Sequence, residues 1–169
     1  GGRALGLYLL HRRITAQTSP RDPENPLIFS PGPLAGIPQF PGTSKCMAIS
    51  LSPLTGIPGV SNFGGRFGAY LKYAGFDALE IVGKSKTDIL IVIDGFCHEI
   101  SIMESPLIDE VFDMEKVIAD RFTRAGRDRK EIVFLTTGIG AGHTTYGRIN
   151  SHYFDPTKHV DGAKGLFRT

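Results

Sequence analysis

Nine of the eleven prolines fall between Pro20 and Pro58, and ten of the 21 glycines lie between Gly32 and Gly83. Proline fixes φ and lacks a backbone donor, while glycine admits positive φ, so this stretch is built for turns rather than long regular elements. Apolar segments such as Leu27-Ile28-Phe29 and Met47-Ala48-Ile49 interrupt it. Flexible linkers lack such anchors, so the region is expected to be ordered, with short strands. Within it, Pro33-Leu34-Ala35-Gly36-Ile37-Pro38 returns as Pro53-Leu54-Thr55-Gly56-Ile57-Pro58, identical at five of six positions with a period of 20. The pattern reads as two similar turns or two strand-to-turn corners of a sheet. Two copies are too few for a solenoid, which needs several units to bury its core.

The remainder is more ordinary. Leucines at 5, 7, 9 and 10 followed by Arg12-Arg13 predict a short helix over Ala4–Arg13. A second helix over Phe67–Ala74 is stopped by Gly75, and Ala78–Val82 reads as a strand. A hairpin follows, with arms Ile89–Ile93 and Phe96–Ile102 and Asp94-Gly95 as a type I′ turn. Its first arm is continuously apolar and is expected to be covered on both faces. Apolar residues at 108, 111, 112, 117, 118 and 122 predict an amphipathic helix over Ile108–Phe122, with Asp109, Glu110, Asp113 and Glu115 on its solvated side. Glu131–Thr137 is a buried strand and Tyr146–Ser151 another, while the polar tail from Asp155 to Thr169 is ambiguous. This is an α+β order rather than regular βα alternation.

A length of 169 residues suits one domain with a real core, and 41% hydrophobic content excludes a disordered tail. No apolar run is long enough to cross a bilayer as a helix. With 19 basic and 17 acidic residues, a nucleic-acid binder working by charge alone is excluded. Cys46 and Cys97, far apart and without a C-x-x-C, cannot ligate an iron–sulfur cluster or a structural zinc as cysteine pairs. Two free thiols and no visible signal peptide suit the cytoplasm, although the two cysteines could also form one disulfide. The edges Gly1-Gly2-Arg3 and Phe167-Arg168-Thr169 look like those of a fragment.

The densest unusual segment is Ser61-Asn62-Phe63-Gly64-Gly65-Arg66-Phe67-Gly68, leading into a helix. Glycines let a phosphate approach main-chain N–H groups, a helix start adds free donors, and Arg66 adds charge. The same glycines equally suit a turn needed only for tight packing, and no Gly-Lys-Ser/Thr follows to make a P-loop. Gly138-Ile139-Gly140-Ala141-Gly142 fails as a dinucleotide fingerprint, because His143 stands where a glycine should and the next residues are β-prone. No pair among His11, His98, His143, His152 and His159 has H-x-x-x-H spacing, and surface positions are the simplest expectation for them.

Longer-range order says more. Asp22-Pro-Glu-Asn-Pro-Leu-Ile-Phe29 is followed by Gly32-Pro-Leu-Ala-Gly36, Ser52-Pro-Leu-Thr-Gly56, Ser61-Asn-Phe-Gly-Gly65, Phe67-Gly68, Leu71-Lys-Tyr-Ala-Gly-Phe-Asp-Ala78 and Gly83-Lys84. In that order and spacing the chain resembles the N-terminal domain of the tungsten-containing aldehyde ferredoxin oxidoreductases. The opening Gly1-Gly-Arg-Ala-Leu-Gly6 fits the same family.

The resemblance implies a single domain over 1–169 with two packed β-sheets, a few helices and an internal duplication, of which the period-20 repeat would be a trace. It implies a base for a tungsten (or molybdenum) bis-pyranopterin whose phosphates are bridged by magnesium. Carried over by position, Asn62 supplies a main-chain carbonyl to magnesium, and Gly64 and Gly65 let backbone approach a phosphate. Lys45 stands where the family has a pterin-contacting arginine, keeping the charge without the bidentate fork. Arg66 is a candidate substitute phosphate contact. No catalytic residue is assigned to this chain.

The resemblance also implies an oxidoreductase that turns an aldehyde into a carboxylic acid and passes electrons to ferredoxin. Its 4Fe-4S cluster and catalytic domains (or subunit) lie outside these residues. An exposed apolar face would meet those domains, or a second copy if the chain assembles. The alternative is a non-catalytic module of the same fold that binds another phosphorylated ligand or a protein partner.

Overall fold

The computed structural model describes residues 1–106, 108, 110–144 and 148–168. The first half runs α1 (Gly2–Arg13), β1 (Leu27–Pro31), β2 (Cys46–Leu51), β3 (Pro58–Phe63), α2 (Phe67–Tyr73) and β4 (Leu79–Ile81). The second runs β5 (Ile89–Asp94), β6 (Glu99–Glu104), α3 (Val111–Arg124), β7 (Val133–Thr136), β8 (Arg148–Asp155) and β9 (Val160–Arg168). The strands form antiparallel sheets in the orders β3-β2-β1-β4, β5-β6 and β7-β8-β9. The fold is α+β, as the element order implied. A helix followed by a three-stranded meander occurs twice, as α1 with β1–β3 and as α3 with β7–β9.

Period-2 alternation explains how the first sheet is covered on both faces. Phe29, paired with Ala48, points with Cys46 and Phe63 into one core, which Ile149 of β8 completes and Leu135 of β7 flanks. The rings of Phe29 and Phe63 meet edge to face at 6.0 Å, and those of Phe29 and Phe67 at 5.6 Å. So the four-stranded and three-stranded sheets pack together, and burial pushes the Cys46 thiol up to about 12. On the opposite face Ile28, paired with Ile49, packs on Leu10 of α1. The basic end of α1 does more than face the helix dipole. Arg13 forks onto Glu80 of β4, with Nε and Nη2 each 3.0 Å from a carboxylate oxygen.

Both copies of the repeat are turns directly after a strand, following β1 and β2, and both place glycine in the left-handed region, Gly36 at φ +87° and Gly56 at φ +70°. Both copies therefore sit inside the first meander. The repeat records two similar turns, and it does not mark the two halves of the domain.

The hairpin departs from expectation. Asp94 pairs with Glu99, leaving four loop residues rather than two. Asp94 Oδ1 accepts from the backbone N–H groups of Phe96 (2.9 Å) and Cys97 (3.3 Å), and His98 takes the positive φ of 56°. An aspartate that caps its own turn removes the need for an Asn-Gly-type two-residue loop. The first arm is only half-buried, and on the second Ile100 and Ile102 are 51% and 67% exposed. The tip is tied down instead: Arg127 pairs with Asp94 and lies 4.7 Å from the Phe96 ring centroid. A Cβ built on Gly95 would come 2.9 Å from Ala74 Cα. Gly95→Ala is therefore expected to lever the tip away at a cost of about 1–3 kcal/mol, read as a lower urea midpoint at unchanged slope.

The tail is also more regular than its composition suggests, since β9 pairs along the whole of β8. The helix expected from Ile108 begins at Val111. Asp109 and the expected strand start at Tyr146 lie outside the described residues.

Candidate functional site

Strand β3 carries the chain out of the sheet into Gly64-Gly65-Arg66, and α2 begins at Phe67. The glycines here have different jobs. Gly65 needs its positive φ of 92°, whereas Gly68 is a packing glycine: an added Cβ would meet Ser44 O at 3.0 Å and Cys46 Cβ at 3.2 Å. Gly64 borders open space: among the described residues, its chain neighbours aside, an added Cβ would come within 4 Å of Lys45 Nζ alone, at 3.7 Å. Helix α2 has seven residues and no side-chain N-cap, so it offers less of a dipole than the sequence suggested.

The sheet brings three of the expected residues together. Asn62 is exposed and lies opposite Met47 in the register. Lys45 is exposed two residues before Met47, so by alternation Lys45 and Asn62 share the α1 face of the sheet with Met47, and Gly64 adjoins Lys45 Nζ. At that face lies a cleft of about 280 Å³ whose walls include Gly2, Gly32, Gly42, Thr43, Lys45 and Met47. Thr43 pins the loop beside it, its hydroxyl donating to Leu34 O (2.9 Å) and Phe40 O (2.8 Å). The start of α1 opens here, with no side-chain cap and no acidic residue in its first turn. The helix-start dipole, three glycines and a lysine make a set suited to an anion.

Sequence reasoning missed the contribution of α1. Its signal was Gly1-Gly2 ahead of a helix whose first turn lacks the usual acid, placed against Gly32-Pro33. Arg66 takes another direction: its guanidinium lies 5.6 Å from the Tyr153 ring centroid on β8. It braces the two halves of the domain instead of joining Lys45.

A larger cleft of about 1240 Å³ lies beneath the hairpin, walled by apolar groups including Phe29, Leu71, Leu90, Ile118 and Phe122. None of Lys45, Asn62, Gly64, Gly65 and Arg66 lines it.

Two expectations about titratable groups are overturned. Glu115, expected on a solvated helix face, is 2% exposed, and His152, expected at the surface, is fully buried. His152 Nδ1 lies 2.9 Å from Glu115 Oε2, and its Nε2 lies 2.7 Å from Thr136 Oγ1. The ring stacks on Phe134 at 4.8 Å. The true buried stripe of α3 contains Glu115, Ile118 and Ala119, while Phe112 is exposed. Glu115 is three residues from Ile118 and four from Ala119, so helical phase was the signal that placed it inside.

Among the described residues no three His, Cys, Asp or Glu side chains gather to hold a metal. Nor, among them, is any helix long and apolar enough to cross a membrane. Strand β7 leads into a 3-10 turn at Ile139–His143 and not a full helix, which agrees with rejecting a dinucleotide fingerprint.

Comparison with known proteins gives the chain's family and fold. The family model for the aldehyde ferredoxin oxidoreductase N-terminal domain matches residues 1–165. A tungsten-containing aldehyde ferredoxin oxidoreductase of Pyrococcus abyssi is 43% identical over 159 residues, covering 88% of this chain and 25% of that protein. A WOR-like subunit of an aliphatic sulfonate oxidoreductase from Pyrococcus furiosus is 36% identical over 104 residues, 59% of this chain and 16% of that one. Among solved structures, the active-site complex BamBC of benzoyl coenzyme A reductase, with bound 1,5-dienoyl-CoA, superposes with a TM-score of 0.79 at 24% identity. That match covers 99% of this chain and 23% of the other, and it speaks to the fold alone. The chain thus spans about a quarter of the length of the Pyrococcus abyssi relative. With a family match running nearly end to end and its architecture shared, the chain belongs to the aldehyde ferredoxin oxidoreductase family and matches that family's N-terminal domain.

Proposed function

We propose that the α1 face of the first sheet is the seat for the phosphate ends of a tungsten (or molybdenum) bis-pyranopterin. The observation that carries this reading is Lys45 Nζ standing over Gly64 at the rim of a glycine-lined cleft where an uncapped helix begins. The residues present fit such a group, because its phosphates are anions and the described walls of the cleft carry one cation, Lys45, glycine backbone at the start of a helix, and no carboxylate. Lys45 would hold a phosphate as a point charge, Gly64 and Gly65 would keep side chains out of its way, and the Asn62 main-chain carbonyl would be the ligand offered to magnesium. When bound, the cofactor supplies the two-electron chemistry that takes an aldehyde and water to a carboxylic acid. This chain's residues supply placement and charge balance.

The complete protein would carry the acid–base residues and the 4Fe-4S cluster in its other domains, pass electrons to ferredoxin and work in the cytoplasm. The exposed Ile100 and Ile102 of the hairpin would lie against those domains or a second copy. Tungsten content of the complete protein from tungstate-grown cells tests the proposal. Stoichiometric metal is expected in the wild type and in a distant control, Lys86→Glu. Metal that stays away from both, while inorganic phosphate still binds, would instead support a module for another phosphorylated ligand.

A further inference from the structure

Outside the cleft, the most constrained group of polar atoms lies between α3 and the second sheet. Glu115 comes from α3, Thr136 from β7, His152 from β8, Arg129 from the turn before β7, and Asp161 from β9. Arg129 pairs with Asp161, its Nη2 is 3.9 Å from Glu115 Oε1, and its guanidinium lies 5.6 Å from the Phe154 ring centroid. Glu115 Oε1 and Arg129 Nη1 are buried without a hydrogen-bond partner among the described residues.

The distances restrict where protons sit. A gap of 2.9 Å between Nδ1 and Oε2 needs one proton in it, and so does the 2.7 Å gap between Nε2 and Thr136 Oγ1. If the proton in the first gap belongs to the carboxyl, the ring is neutral and its Nε2–H donates to Thr136. If it belongs to Nδ1, the neutral ring accepts from the threonine hydroxyl at Nε2, and Glu115 is a carboxylate. The third arrangement, imidazolium against carboxylate, puts two charges where both side chains are almost wholly buried, and sets the imidazolium beside the Arg129 cation.

We propose that Glu115 and His152 form a one-proton switch: the carboxyl is protonated and the ring is in its Nε2–H form at mildly acidic pH. Raising the pH removes the carboxyl proton, moves the ring proton to Nδ1 and draws Arg129 from β9 toward α3. One proton leaves for solvent from Glu115 Oε2, the ring keeps one throughout, and the Thr136 hydroxyl turns from acceptor to donor. Desolvation first, then Asp161, raises Glu115 to about 7, against the pull of Arg129. Desolvation first, then Arg129, lowers His152 to about 4, against Asp161. The crossing of these two values agrees with a carboxyl that keeps the proton and a ring that stays neutral.

Linkage gives the sign. Separated, the two groups titrate at 4.5 and 6.5, so between those values the unfolded chain also holds one proton on the pair. Stability owed to the pair is therefore flat from 4.5 to 6.5 and falls as pH rises from 6.5 through 7. It also falls as pH drops from 4.5 to 4. Glu115→Gln leaves only the histidine, whose contribution is lost as pH falls from 6.5 to 4. His152→Asn leaves only the glutamate, whose contribution is lost as pH rises from 4.5 to 7. The two variants should tilt in opposite directions relative to wild type.

The direct test is the imidazole nitrogen NMR of His152 in the wild-type protein between pH 5.5 and 8.5. A neutral ring throughout, changing from Nε2–H to Nδ1–H with a midpoint near 7, is the expected result. Protonation of both nitrogens at pH 5.5, or one unchanged tautomer across the range, would overturn the switch. Glu115→Gln should lock the Nε2–H form, because the Gln amide then donates to Nδ1, and a variant that still switched would equally overturn it. The wild-type spectra decide the matter even if that variant fails to fold.

Discussion

Lys45→Glu is expected to strip most of the tungsten from the complete protein while leaving its fold intact. Lys45 is exposed immediately before β2, so reversing its charge disturbs no core contact. Yet its Nζ is the nearest group to the open side of Gly64 and lines the cleft at which α1 begins. A charge-assisted hydrogen bond is worth about 1.5–3 kcal/mol. Its loss alone lowers affinity by roughly tenfold or more, and a carboxylate facing a phosphate adds repulsion. Lys45→Arg separates positioning from mere charge. If this position holds a phosphate, the restored fork should retain metal at least as well as lysine does. Metal content and thermal midpoint measured together distinguish a lost contact from a lost fold.

The largest effect on stability is expected at Gly6. A Cβ on this residue would stand 2.2 Å from Ile49 Cδ1 and 3.4 Å from Ser30 Cβ, and Ile49 is itself fully buried. Ile49 therefore has nowhere to retreat, although its Cδ1 is the far end of a side chain. Gly6→Ala sets about 1 kcal/mol of helix propensity gained against about 1–3 kcal/mol of overpacking, so a modest net loss is expected. Gly6→Leu has no such compensation and is expected to lift α1 off β1 and β2, costing about 3 kcal/mol or more. Because α1 also frames the cleft, Gly6→Leu should lose metal together with stability, whereas Lys45→Glu should lose metal alone.

How much of this was legible in the sequence depended on whether the signal was local. Helix α2 stops at Gly75, which takes φ +92°, as a glycine in that position should. Both repeat copies turned where proline and glycine dictate. Features set by distant partners were not legible. The hairpin looked covered because its first arm is apolar, but cover depends on what packs against it, and the domain supplies little beyond Arg127 and Ala74. Glu115 looked solvated because charge usually is, although its place in the helical phase put it on the buried stripe. His152 gave no local signal, because its partners come from α3 and β7.

The candidate site divided along the same line. Asn62, Gly64 and Lys45 converge because β2 and β3 pair in register, which the spacing of the motifs reflects. Arg66 looked equivalent in sequence but is drawn to Tyr153 on the other half of the domain. The uncapped start of α1 joined the cleft through a tertiary approach to Gly32 that no single segment announces.

The most direct test of the central claim is a crystal structure of the complete protein purified with its cofactor from tungstate-grown cells. Phosphate density within hydrogen-bond distance of Lys45 and against Gly64, at the cleft beside Gly2, is the expected result. Phosphate density lying away from this face, with Lys45 in solvent, would contradict the account.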